Sequence, residues 1–152
     1  MRLYLDGHAE RYALEQLQMC LFPDEPMEFC ETPFEGDGAV SALRREGGLL
    51  KASCTIRRDG KTASAEQSMD AVEETVRLRR RILQQAYYKA AVQLLDAPPP
   101  WGALSGVRPT KLTTRAMLRG AADEDCEAML RDLYFVEPAR RLLCIVASRA
   151  TV

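Results

Sequence analysis

Histidine and tryptophan occur once each in this 152-residue chain, and its five cysteines (Cys20, Cys30, Cys54, Cys126 and Cys144) are widely scattered. No two of them are spaced as CxxC. A zinc site or an iron–sulfur cluster needs clustered ligands, so neither is read in these residues. The odd, dispersed set reads as reduced thiols acting as small apolar residues in a cytoplasmic protein. A Ser-His-Asp or Cys-His device would have to use His8, which reads as a polar residue at a helix start. GxSxG, HExxH, the P-loop and GxGxxG are all missing. An excess of one charge is missing too: 21 basic against 22 acidic residues leave a net charge of -1. That balance gives no overall pull toward nucleic acid or an anionic membrane. No run approaches the roughly 18 apolar residues that a membrane span requires. Met1–His8 holds only a short apolar stretch, so no leader is read there.

What is present suits an α+β domain. Hydrophobic residues make up 47% and charged residues 28%, enough apolar material for a core without covalent staples. Leu3-Tyr4-Leu5 reads as a first strand stopped by Asp6-Gly7. Ala9, Tyr12, Ala13, Leu17, Cys20 and Leu21 then recur at helical spacing over 8–21. Pro23 and Pro26 end that helix, and Met27–Cys30 is a second strand, which permits a parallel crossover. A meander follows. Val40 and Ala42 alternate, Glu46-Gly47-Gly48 turns, and Leu50, Ala52, Cys54 and Ile56 share one strand face. Asp59-Gly60 signals a type I′ hairpin, and 61–68 returns with Ala63 and Ala65 inward.

The pattern next predicts a long helix over 70–96, capped by Ser68 or Asp70. Its main apolar stripe is Val72, Val76, Leu83, Tyr87, Ala90 and Leu94, with Leu78 and Ile82 forming a second. Arg77 and Arg81 face solvent on this wheel. Arg79 falls inside the apolar arc. It either snorkels out along the core, reaches a buried carboxylate, or serves an anion or partner. Asp96-Ala-Pro-Pro-Pro100 is a stiff spacer and the clearest internal boundary. The expected organisation is a sheet domain over 1–97, a Pro/Gly-rich linker loop over 98–108, and a helical segment over 109–152. The helices of that segment are read at 109–119, 122–135 and 138–149. The whole is a mixed sheet of about five strands packed on a long helix, followed by a three-helix segment.

The most distinctive stretch is Trp101-Gly-Ala-Leu-Ser-Gly-Val-Arg-Pro-Thr-Lys111. Pro109 pre-sets the first turn of a helix. Arg108, Thr110, Lys111 and Arg115 gather around that start, where free backbone N–H groups would favour an anion. A tight loop in which Trp101 packs and Gly102 and Gly106 permit the turn explains the same residues structurally. The stretch through Leu112 is similar to a WGxL(T/S)GVRPTKL segment of the HemZ-type coproporphyrinogen dehydrogenases, radical-SAM proteins related to oxygen-independent coproporphyrinogen III oxidase. Leu3-Tyr4-Leu5, the helical tail with Tyr134 and the end at Thr151-Val152 also look like the region ahead of that family's radical-SAM barrel.

The resemblance implies a full-length enzyme that oxidatively decarboxylates coproporphyrinogen III, using S-adenosylmethionine and a 4Fe–4S cluster. The CxxxCxxC motif that would hold the cluster is not in this chain, and in the family it would follow shortly after position 152. The implied role here is therefore a non-catalytic accessory domain. Its partners would be its own C-terminal radical-SAM barrel and an anionic porphyrinogen. Trp101, Arg108, Thr110, Lys111 and Arg115 would be docking or substrate-facing residues. The final Ala150-Thr151-Val152 reads as the start of an interrupted strand. Other readings are a heme-chaperone-like relative, or a freestanding protein- or RNA-interaction module. For RNA, the arginine run 77–81 lacks interleaved aromatics.

Overall fold

A computed structural model describes residues 1–104 and 108–151; Ser105, Gly106, Val107 and Val152 lie outside the described residues. The chain forms two compact units, Met1–Ala97 and Pro98–Val152.

The first unit is a five-stranded mixed sheet of order β2-β1-β3-β4-β5. Its strands are β1 (Arg2–Asp6), β2 (Glu28–Cys30), β3 (Gly38–Glu46), β4 (Leu49–Arg58) and β5 (Lys61–Asp70). β1 pairs in parallel with both β2 and β3, and α1 (Arg11–Leu21) makes the β1–β2 crossover. β3, β4 and β5 form the antiparallel meander. Asp59 and Gly60 both have positive φ, as the type I′ turn between β4 and β5 requires. Leu50, Ala52, Cys54 and Ile56 are all buried on one face of β4.

In β3 both phases of the alternation are partly buried, Ala42 at 7% exposure included, and the residues facing the β4 core positions are not Val40 and Ala42. Ala39, Ser41 and Leu43 stand opposite Ile56, Cys54 and Ala52, while Val40 is only half-buried. The polar Ser41 tolerates burial because His8 Nε2 lies 3.0 Å from its hydroxyl.

Two helices pack on the inward face. α1 starts at Arg11, three residues later than the periodicity suggests, and its buried side is Leu14, Leu17, Gln18 and Leu21. Tyr12 and Cys20, expected in its apolar stripe, are exposed. Gln18 takes a core position because it is satisfied there. Its amide donates to the Met1 carbonyl at 3.0 Å, and Tyr87 Oη donates to its Oε1 at 2.7 Å.

The long helix is shorter than predicted. β5 continues to Asp70, a 3₁₀ turn covers Ala71–Glu73, and α2 spans Val76–Ala91 before another 3₁₀ turn at Val92–Leu94. Thr75, not Ser68 or Asp70, caps α2 by accepting from the Leu78 N–H; Asp70 caps the 3₁₀ turn by accepting from the Val72 N–H. Val72 therefore projects into solvent at 91% exposure, and Val76 is exposed as well. Leu83, Tyr87 and Ala90 are fully buried, joined by Ile82 and Ala86. Burying each large side chain such as Leu83 contributes roughly 1.5–3 kcal/mol.

The second unit is helical: α3 (Pro109–Leu118), α4 (Asp123–Ala128) and α5 (Pro138–Thr151), with a π-helical turn at Met129–Leu133 after α4. Pro109 and Pro138 each open a helix, where their missing N–H is harmless. Leu130, Val136 and Cys144 form the core, flanked by Trp101, Leu104, Met129 and Tyr134. The tail expected to begin a strand is helical through Thr151, whose hydroxyl donates to the Ala147 carbonyl at 3.0 Å.

Candidate functional site

α3 and α5 are joined by buried hydroxyls. Thr113 and Ser148 are fully buried and hydrogen-bonded to each other, and Thr114 Oγ1 donates to Ser148 Oγ at 3.0 Å. Beside this junction lies a cleft of about 350 Å³ lined by Arg108, Thr110, Lys111, Thr114, Arg115, Ala147 and Thr151. Arg108, Lys111 and Arg115 are exposed, and among the described residues none has a carboxylate within ion-pair distance. The Thr114 and Thr151 hydroxyls already donate to Ser148 and to the Ala147 carbonyl, so the cleft offers chiefly its cations, which suit a carboxylate or phosphate.

The backbone contributes less than the sequence suggests. Pro109 has no N–H, and the Lys111 N–H already donates to the Arg108 carbonyl at 3.0 Å. Attraction for an anion therefore comes mainly from the side chains.

The structure brings together Arg108, Thr110 and Lys111 from the distinctive stretch with Arg115 just after it. It leaves Trp101 out. Trp101 packs on the apolar core of its unit, and the Arg140 guanidinium sits 5.5 Å from its ring centroid. Gly102 holds φ +60°, and a Cβ there would come within 2.0 Å of the Tyr134 carbonyl oxygen. Ala103 N–H donates to that same oxygen at 2.7 Å, and Glu137 N–H donates to the Pro100 carbonyl at 3.0 Å. The Trp-Gly half of the stretch is an anchor, and the Arg-Pro-Thr-Lys half faces the cleft. Gly106, taken with Gly102 as a turn residue, lies outside the described residues. Thr114 could have been found from its helical spacing to Thr110 and Lys111. Ala147 and Thr151 had no local signal, because they reach the cleft through the packing of α5.

In the first unit, Arg79 reaches carboxylates. It bonds Glu74 at 2.7 Å and Glu10 at 3.0 Å, while Arg80 also holds Glu10 and Arg45 holds Glu74, both at 2.6 Å. Burial alone would raise the Glu10 carboxyl, but hydrogen bonds from Arg80 and Arg79 outweigh it and hold it below its ordinary range. Hydrogen bonds from Arg45 and then Arg79 do the same for Glu74. Through these shared carboxylates, Arg45 of β3, Arg79 and Arg80 of α2 and Glu10 ahead of α1 form one ion-pair network. Arg77 is exposed, whereas Arg81 is half-buried.

His8 precedes α1. Its Nδ1 accepts from the Glu10 N–H at 3.1 Å, so the ring proton sits on Nε2 and points to Ser41. Burial lowers the His8 pKa despite the contact with Ser41 and the nearby Glu10 carboxylate.

Cys54, Cys126 and Cys144 are buried, and burial raises all three thiols. Among the described residues no group of three His, Cys, Asp or Glu side chains could hold a metal ion. These residues do not fit a 4Fe–4S cluster. No described helix is long and apolar enough to cross a membrane. No family model, no curated protein and no solved structure matches the chain.

Proposed function

We propose that this chain is an accessory N-terminal region of a cytoplasmic radical-SAM enzyme of the coproporphyrinogen dehydrogenase type, and that its helical unit holds an anionic porphyrinogen. The observation that carries the reading is the cleft of Arg108, Thr110, Lys111, Thr114 and Arg115. Two of its cations, Arg108 and Lys111, stand within the stretch that resembles the family's, and a porphyrinogen's propionates are the anions it would hold. α5 adds support. It exposes Leu142, Leu143 and Val146 at 63%, 51% and 58%, an apolar face suited to packing on a further domain such as the barrel. The cluster and S-adenosylmethionine would belong to that barrel, and the residues described here bind and orient without reacting.

The direct test uses the natural gene product that contains these residues. Purified without oxygen, it is expected to carry iron and acid-labile sulfide, with a CxxxCxxC triplet beyond residue 152. A natural chain without that triplet overturns the reading.

A further inference from the structure

The cationic surface of α3 extends past the cleft. From Ala97 to Ala122 the chain contains no Asp or Glu, yet it holds Arg108, Lys111, Arg115 and Arg119. All four are exposed. The second unit's other arginines are each paired: Arg131 with Asp132, Arg140 with Glu137, Arg141 with Glu127, and Arg149 with Asp123. Among the described residues the α3 cations have no such partner. The unit neutralises its charge elsewhere and leaves this one line open.

The line has direction. At about 100° per residue, Lys111, Arg115 and Leu118 fall within about 60° of arc, opposite the buried Thr113 and Met117, and Arg119 follows as the residue that caps the C-terminal end of the helix. Lys111 and Arg119 are separated by about 12 Å along the axis. Leu118 stands among these cations at 71% exposure. A single small anion would engage only one end of such a line. An extended ligand with an apolar body and separated anionic arms would engage both ends and cover Leu118.

We propose that α3 binds a polycarboxylate at two stations, the cleft at Arg108, Lys111 and Arg115 and a second point at Arg119, and so selects ligands whose carboxylates lie far apart. This rests on the reading of the ligand as a carboxylate given above. A nucleic-acid strand fits less well, because the exposed face of α3 has no aromatic side chain on which bases could stack.

The test is fluorescence titration of the whole chain with coproporphyrin III, whose four carboxylates surround the ring, and with mesoporphyrin, whose two lie on one side. Coproporphyrin III is expected to bind several-fold more tightly. Arg119→Ala should weaken it by about threefold to fivefold, the range of one exposed ion pair, and leave mesoporphyrin unchanged. Arg119→Lys should restore most of the loss. Equal affinities for the two porphyrins, or no effect of Arg119→Ala on coproporphyrin III, overturn the two-station inference while leaving a carboxylate ligand in place. If neither porphyrin binds, both the inference and the carboxylate reading fall. If a single-stranded RNA oligonucleotide binds more tightly than coproporphyrin III and displaces it, the surface belongs to nucleic acid and the proposal is wrong.

Discussion

The two units differ in what the basic residues of one helix do: on α2 Arg79 and Arg80 reach carboxylates, whereas on α3 Lys111 and Arg115 reach none among the described residues. In the sheet unit, Arg44, Arg45, Arg58, Arg79 and Arg80 each reach a carboxylate, and Glu10 and Glu74 are each shared by two guanidinium groups. In the helical unit the arginines after α3 are paired, while the line on α3 is left open. An arginine run is therefore a poor guide to a binding surface until its partners are known. The dense run Arg79-Arg80-Arg81 serves the fold, and the sparse one on α3 is available to a ligand.

The hardest test of this contrast is to break each core separately. Leu83→Ala should cost the sheet unit about 3–4 kcal/mol, since the side chain is fully buried. Urea unfolding followed by circular dichroism should show it. Trp101, the only tryptophan, reports on the helical unit alone, and its fluorescence transition should move much less. Coincident shifts of equal size would mean that the units unfold as one.

Gly102→Ala should act the other way round. Positive φ alone costs about 1–3 kcal/mol for a residue with a side chain, and the Tyr134 carbonyl adds a clash. The tryptophan transition should then fall first.

A smaller effect is expected from acid. The folded state depresses the His8 pKa below its ordinary 6.5, so the unfolded chain takes up the proton more readily. The contribution of neutral His8 is present above that value and is lost as pH falls through the folded pKa. Melting temperatures measured between pH 7.5 and 5.5 should decline, and His8→Gln should flatten the decline. An unchanged slope would remove His8 from the account.

The smallest effect should come from Arg108→Ala combined with Lys111→Ala. Both side chains are exposed, so stability should change by less than about 0.5 kcal/mol. Coproporphyrin III binding should nevertheless drop. A loss of several degrees in melting temperature would instead make these residues part of the fold.

Much of the sheet unit was legible because its signals are local. The β4 alternation and the Asp59-Gly60 turn each lie within a few residues. β3 was less legible because Ser41 takes a core position, and the residue that makes it tolerable there is His8, on another segment. α1 misled in the same manner: Gln18 outranks Tyr12 for burial only because Met1 and Tyr87 satisfy its amide. Arg79 was visible as an anomaly on its helix, but Glu10 lies 69 residues earlier and could not be named. The candidate site divided likewise. Its α3 half could be read from spacing, and its α5 half arose from packing.

The sheet order carries a consequence for how the chain comes to be folded. β1 sits between β2 and β3, parallel to both, and the antiparallel hairpins lie farther along the chain. Hairpins close over short loops, while parallel pairing must wait for longer ones. During synthesis β1 therefore emerges before both of its neighbours and cannot complete its pairing until β3 follows. Until Gly38–Glu46 has emerged, Leu3 has only its β2 neighbour and Leu5 has no paired residue at all, which leaves both open to non-native contacts on the nascent chain.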